Sequence, residues 1–389
     1  MEPLSLYLHI PFCRHRCAYC DFNTYTTVGA LQDAYVVALE NEIAQVAKLA
    51  GKDGQLRPVH TIFFGGGTPS LLPVTALQSI LQCAAGAFKQ TEDAEITLEA
   101  NPEFVDLKYL EGLREIGINR LSFGVQSAQA GELALLERTH DFQTAVDVVS
   151  MARAAGFANF NLDLIYGLPE QTVSSWAASL EAVLALEPAH LSLYCLTIEP
   201  GTPMHRWLDN GRISAPDPDL AAEQYSYACR LLADQGFEHY EISNWSLPGR
   251  ECQHNLTYWR NQEYLGLGAG AHGQAAGYRY SVVKRPRVYI RRMDSETANV
   301  YPISAANAES HAVERREAMS DTVITQLRLL QEGLDLHAFA DKFGQSLDEA
   351  FDGQVTQLTE WGLLEEAHGR LLLTERGRFV SNQVFYRFT

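Results

Sequence analysis

Three cysteines fall within eight residues near the start of the chain, in YLHIPFCRHRCAYCDF, as Cys13, Cys17 and Cys20. Spacings of three and then two residues, on a loop that folds back sharply, let three thiolates converge on one small inorganic core, and thiolates suit iron–sulfur clusters or zinc. With three ligands to four irons, one iron stays open. A zinc site would instead close as Cys3His, with His9 or His15 as the fourth ligand. Spacing alone leaves both readings open. The remaining cysteines, Cys83, Cys195, Cys229 and Cys252, are scattered through apparent secondary structure and give no disulfide framework.

Other residues could serve such a centre. The run Gly65-Gly66-Gly67-Thr68-Pro69 follows an apolar segment, and residues without side chains there let backbone approach a ligand closely, although a glycine run by itself is more often a turn. Glu99, Gln126, Arg138 and Asp163, taken singly, read as solvated or capping residues. Asp163 is the exception in one respect, because it lies on the apolar run NLDLIYG, where burial without a partner is costly. His254, in HNLTYW, reads by itself as a loop histidine, and the alternating glycines of Tyr264 to Gly273 read as a strand packed tightly against a neighbour.

The elements that must position these residues alternate up to about residue 275. Strands are predicted at 5–10, 60–66, 95–101, 120–126, 159–167 and 190–196, with amphipathic helices between them at 33–49, 76–88, 145–155 and 174–186. Repeated βα units imply a parallel sheet with helices outside it. The polar and glycine residues recur late in or just past each strand: the cysteines after the first, GGGTP after the second, Glu99 at the end of the third. Gln126 closes the fourth, Asp163 lies in the fifth, and Thr197 with Glu199 follows the sixth. In a barrel-like array these positions share the C-terminal face, where such folds place their chemistry.

Beyond residue 275 the pattern changes. Residues 276–310 include the locally basic YRYSVVKRPRVYIRRM and read as a connector, and 311–389 read as helices followed by an apolar hairpin. LTEWGLLEEAHGRLLLTERGRFVSNQVF has the layout of a winged helix: a long helix ending at Gly362, two short strands turning at His368 and Gly369, and a final helix. Residues 310–389 hold thirteen Asp or Glu against eight Lys or Arg, and the whole chain carries a formal charge of -18, so neither invites a polyanion. No nucleic-acid partner is expected. At 389 residues, 46% of them hydrophobic, the chain can bury the core of one large domain and a smaller one. No apolar run approaches the roughly 18 residues that span a bilayer, and no signal pattern opens the chain, so the expectation is a cytoplasmic protein without an integral membrane segment.

The loop Cys13-Arg14-His15-Arg16-Cys17-Ala18-Tyr19-Cys20 resembles the cluster loop of the radical S-adenosylmethionine (SAM) superfamily, and the likeness continues through GGGTP, LEANP, FGVQS, ERTH and LDLIYGLP. It implies an α/β fold: a partial (β/α)6 barrel over 1–275, bearing the cluster, SAM and haem motifs, then the connector and a winged-helix-like domain. It also implies a [4Fe-4S] cluster on Cys13, Cys17 and Cys20, with SAM on the open iron in place of a fourth thiol. Carried over by position, Tyr7, Tyr19, Gly66, Gly67, Thr68, Glu99, Gln126, Arg138 and Asp163 would contact SAM, with Ala271 and His272 near its adenine end. Two related groups share these motifs. Oxygen-independent coproporphyrinogen III oxidases carry CxxxCxxCxC behind a long preceding segment, whereas this chain reads Cys20-Asp21-Phe22 and reaches the cluster almost at once. Both features, and the match of HNLTYW to the HNxxYW haem motif, resemble the HemW-type haem chaperones. That resemblance implies His254 as ligand to haem iron with Tyr258 and Trp259 in support. It further implies haem-receiving apoproteins and an electron donor as partners, with transient contact to membrane proteins, and no coproporphyrinogen oxidation.

Overall fold

The computed structural model describes residues 3–295, 298 and 300–389. The chain divides into two compact units, one of residues 1–228 and 263–312, the other of 229–262 and 313–389. Six parallel strands dominate the first: β1 (Leu4–Ile10), β2 (Val59–Gly66), β3 (Gln90–Ala100), β4 (Arg120–Gln126), β5 (Phe160–Tyr166) and β6 (His190–Cys195), side by side in sequence order. β1, β4 and β5 are buried on both faces along almost their whole length, as strands covered by βα crossovers must be, which is why each reads as a near-continuous apolar run.

The intervening helices begin where a short polar side chain can accept a free backbone N–H. Asp106 caps the helix Leu107–Glu115, Asp141 caps Phe142–Ala154, and Thr172 with Ser175 forms a capping box on Val173–Leu184. The helix Gln32–Lys52 turns Tyr35, Leu39, Ile43 and Val46 inward, the three-to-four spacing of one helix face. Since the six strands run parallel, the loops that leave their C-terminal ends open on one face.

Two further strands, β7 (Glu238–Glu241) and β8 (Asn244–Ser246), form a hairpin within the second unit. In the first unit the sheet continues beyond β1 through β9 (Tyr264–Leu267), β10 (His272–Ala275), β11 (Tyr278–Val282) and β12 (Asn307–Ala312). β9 pairs parallel to β1, and the next three pair antiparallel. Residues 276–310, read from the sequence as a connector, thus supply β11, the helix Pro286–Ser295 and most of β12. The buried carboxylate of Glu42 ties this edge down, accepting from Gly268 N and Tyr289 Oη at 2.7 Å and from Ser304 Oγ at 2.5 Å.

The second unit has its own core, in which Val323, Leu327, Phe339, Leu358, Leu371 and Phe388 are fully or almost fully buried. Around it lie the helices Arg315–Gln326, Leu336–Phe343 and Gln354–Glu360, then β14 (Leu364–Ala367) and β15 (Arg370–Leu373), with the two-residue β13 (Leu334–Asp335) paired to β15. His368 and Gly369 turn the hairpin with φ of 54° and 75°, the pair of positive values a tight two-residue turn requires. This is the winged-helix-like layout expected from the sequence, except that the helix before the hairpin is only seven residues long and two short helices, Glu375–Phe379 and Ser381–Tyr386, follow it. Among the described residues no helix is long and apolar enough to cross a membrane.

Candidate functional site

The loop between β1 and the helix Gln32–Lys52 is closed at its base, where Cys13 N donates to Tyr25 O at 3.1 Å and Tyr25 N to Pro11 O at 2.8 Å. Its middle is held by Ala18, fully buried against Leu136, Ile165, Leu168 and Met204. Cys20 N donates back to Cys17 O at 3.2 Å, and Arg16 Nε to Cys20 O at 3.2 Å. With base, middle and tip fixed, Cys13, Cys17 and Cys20 all line one cavity on the C-terminal face of the strands. Burial pushes the Cys13 and Cys20 thiols above their ordinary pKa, and the neighbouring Cys17 sulfur adds to it. Metal binding is what deprotonates such thiols.

A single ion is a poor fit. Tetrahedral zinc needs four ligand atoms at about 2.0–2.3 Å from one centre, and no group of three His, Cys, Asp or Glu able to hold a metal ion is found among the described residues. A four-iron core holds its three cysteines on separate irons, and Cys13, Cys17 and Cys20 share one cavity. His9 is occupied elsewhere: its Nε2 donates to Asn23 O at 3.0 Å and its Nδ1 accepts from Tyr7 Oη at 3.1 Å, with burial holding the ring neutral. His15 stands at the rim, 3.9 Å from Glu137.

The GGGTP turn forms the wall beside Cys13. Gly67 N donates to Ile10 O and Thr68 N to Phe12 O, both at 2.8 Å, so the turn continues the β1–β2 ladder past the strand ends. Gly66 has φ 109°, and a Cβ there would run into the His9 ring; at Gly67 it would lie 2.7 Å from both carbonyl oxygens. Thr68 Oγ1 sits 3.4 Å from Cys13 Sγ.

Opposite stand the polar residues of β3, β4 and β5. Glu99 accepts from Gly66 N at 3.0 Å; burial, and then the charge of Asp163, raises its pKa to about 8, partly offset by that N–H. Burial also raises Asp163, against hydrogen bonds from Asn161 Nδ2 at 2.7 Å and Ser122 Oγ at 3.3 Å. Gln126 lies at a bulge between β4 and β5 with φ 70°, which turns its side chain into the cavity. Arg138 donates to Gly124 O at 2.8 Å and to Cys17 Sγ at 3.4 Å. Tyr19 completes this set of predicted residues in the cavity lining.

Three predicted residues of the same unit lie outside that lining. Tyr7 hydrogen-bonds His9 and stacks on Phe63, at 6.3 Å between ring centroids. Ala271 is buried in backbone hydrogen bonds to Gly268 and Val282, and His272 is exposed at the start of β10. Conversely, Ser122, Gly124 and Asn101 line the cavity without having been singled out. Ser122 and Gly124 precede Gln126 at intervals of two, the period that puts strand residues on one face.

HNLTYW lies in the second unit, and its setting differs from the expectation of a loop histidine. It forms the helix Gln253–Trp259, and His254 is only 1% exposed. Helical spacing of four sets Tyr258 over it, with Tyr258 Oη 2.8 Å from His254 Nε2. The Arg328 guanidinium lies 4.2 Å from the centre of the Trp259 ring.

Comparison with known proteins matches residues 7–183 to the radical SAM superfamily model and residues 313–380 to that of the HemN C-terminal domain. Over 386 residues the chain is 36% identical to the heme chaperone HemW of Bacillus subtilis, covering 99% of this chain and 98% of that one. The heme chaperone HemW of Escherichia coli is 35% identical over 387 residues, 96% and 97% of the two chains. Among solved structures, the radical SAM enzyme coproporphyrinogen III oxidase (HemN) from Escherichia coli superposes with a TM-score of 0.84 at 26% identity, covering 99% of this chain and 90% of that one.

Proposed function

The chain belongs to the HemW family of radical SAM proteins, and from that membership we propose that it binds haem and delivers it to haem-requiring respiratory enzymes. The observation that carries this reading is the length of the likeness: it spans both units, so it takes in the cluster loop and HNLTYW together.

In this reading Cys13, Cys17 and Cys20 hold a [4Fe-4S] cluster. A [4Fe-4S] cluster held by these residues would supply one-electron reducing chemistry to SAM bound beside it. The chain's part is to bind and orient. Gly66 and Gly67 let backbone close on the methionyl group, and Glu99, Gln126, Arg138 and Asp163 face it with two carboxyls, an amide and a guanidinium. Tyr19 bounds the cavity. Tyr7 acts through His9, and Ala271 and His272 serve the adenine end. His254 ligates haem iron, with Tyr258 and Trp259 against the porphyrin. Its partners are haem, haem-receiving apoproteins reached through transient contact with membrane proteins, and an electron donor, in the cytoplasm.

The fold it shares with HemN favours one alternative, oxidative decarboxylation of coproporphyrinogen III. Against it stands Phe22, 62% exposed on the cavity rim where the oxidase pattern carries its further cysteine. Haem titration of anaerobically cluster-loaded protein separates the two. Saturable uptake with a Soret band altered in His254→Ala is expected, with no conversion of coproporphyrinogen III given SAM and reductant. Steady decarboxylation, or haem spectra and affinity unchanged in the variant, would return the assignment to the oxidase.

A further inference from the structure

Arg138 makes a contact that SAM binding does not require. Its Nη1 donates to Cys17 Sγ at 3.4 Å while Nη2 is anchored on Gly124 O at 2.8 Å, the exit of β4. Its Nε is buried without a hydrogen-bond partner, so the group faces inward rather than toward water. The other two thiols have weaker company. Cys13 meets the neutral hydroxyls of Thr68 and Thr24 and feels the charge of Arg138 without a hydrogen bond from it, and the cation near Cys20, Arg16, is exposed and spends its donors on backbone carbonyls.

Reduction adds one negative charge to a cluster and spreads it over its sulfurs. A fixed cation donating to one of those sulfurs stabilises the reduced form, and the net charge and hydrogen bonds at the sulfurs are what set such potentials. A guanidinium anchored on a strand carbonyl keeps this geometry without reorganising, and solvent screens it little. Resting on the reading of Cys13, Cys17 and Cys20 as cluster ligands, we infer that Arg138 sets the cluster's reduction potential through Cys17, apart from any contact it makes with SAM.

The test uses the full chain reconstituted anaerobically with iron and sulfide, as parent, Arg138→Gln and Arg138→Lys. Each is assayed for iron and sulfide, then titrated potentiometrically without SAM and followed by electron paramagnetic resonance. The glutamine variant is expected at a more negative midpoint than the parent at equal cluster content. Lysine keeps the charge but cannot bridge Gly124 O and Cys17 Sγ at once, and is expected between the two. A parental or higher midpoint in the glutamine variant overturns the inference. Should that variant fail to take up the cluster, a parental midpoint in the lysine variant overturns it equally. A parent that binds no iron and sulfide overturns the cluster reading itself, an outcome distinct from a loaded parent whose variants do not shift.

Discussion

Replacing Gly67 by alanine is the sharpest test of the cavity wall. The added methyl would lie 2.7 Å from Ile10 O and Phe12 O and 3.0 Å from Phe12 N, all backbone atoms at the exit of β1. No side chain can swing away to make room. Relief requires the GGGTP turn to part from β1, straining the Gly67 N–Ile10 O and Thr68 N–Phe12 O hydrogen bonds. Overpacking costs about 1–3 kcal/mol and each lost hydrogen bond about 1 kcal/mol, together roughly 2–5 kcal/mol. At about 1.5 °C per kcal/mol for a chain of this size, the unfolding midpoint should fall by roughly 3–8 °C. Because Phe12 leads directly into Cys13, iron and sulfide content after reconstitution should fall as well. Gly51→Ala provides the contrast: Gly51 lies in the helix Gln32–Lys52 with nothing within 4 Å of a new Cβ. The same chemical change there should stabilise by about 0.5–1 kcal/mol. Thermal unfolding of the apoproteins and metal analysis of the reconstituted ones read both effects. A Gly67→Ala protein with the parental midpoint and a full cluster would refute the reasoning.

Two further outcomes are expected. The pKa of Glu99, about 8 in the folded chain against 4.5 for a free carboxyl, means that the folded state keeps a proton the unfolded state gives up, so its contribution to stability declines as pH rises from about 4.5 to about 8; urea unfolding of apo Glu99→Gln should match the parent near about pH 5 and exceed it by a few kcal/mol above about pH 8.5, and a difference independent of pH would rule this out. Tyr258→Phe removes the hydroxyl from His254 Nε2, so if haem iron takes that nitrogen, stopped-flow Soret measurements should show faster haem uptake with an unchanged final spectrum, whereas slower uptake would mark the hydroxyl as part of the haem contact.

The six parallel strands and most of their helices were legible in the sequence because strands covered on both faces are apolar throughout, and because the helices alternate buried and exposed positions at helical spacing. The edge was harder. β12, Asn307–Ala312, has its residues exposed almost throughout, so nothing in NAESHA alternates, and the basic, aromatic stretch before it masks β11 and the helix Pro286–Ser295. The helix Leu107–Glu115 went unassigned although Asp106, its cap, was a readable start signal. HNLTYW looks like a loop because its helix has seven residues and no side-chain cap. In the site, the cysteines, GGGTP, Glu99, Gln126 and Asp163 could be located from where they fall relative to strand ends. The Arg138–Cys17 contact could not, since it depends on a hydrogen bond across 121 residues.

The charge of the cavity bears on how the proposed ligands divide between the two units. Burying Glu99 and Asp163 side by side is expensive, and the fold could have closed the ends of β3 and β5 with apolar residues instead. Asp163 has Asn161, Ser192 and Ser122 and feels the charge of Arg120, Glu99 has Gly66 N, and Arg138 is committed to Gly124 O and Cys17. Burial pushes both carboxyls toward the neutral form, and a positively charged ligand beside them would draw them back to the carboxylate, a gain that an uncharged ligand could not bring. The sulfonium and amino groups of SAM meet that need. Haem does not, since its anionic propionates would hold the two carboxyls in their neutral form rather than gain by ionising them. On electrostatic grounds this cavity therefore suits SAM better than haem, and HNLTYW, the segment proposed to bind haem, belongs to the other compact unit.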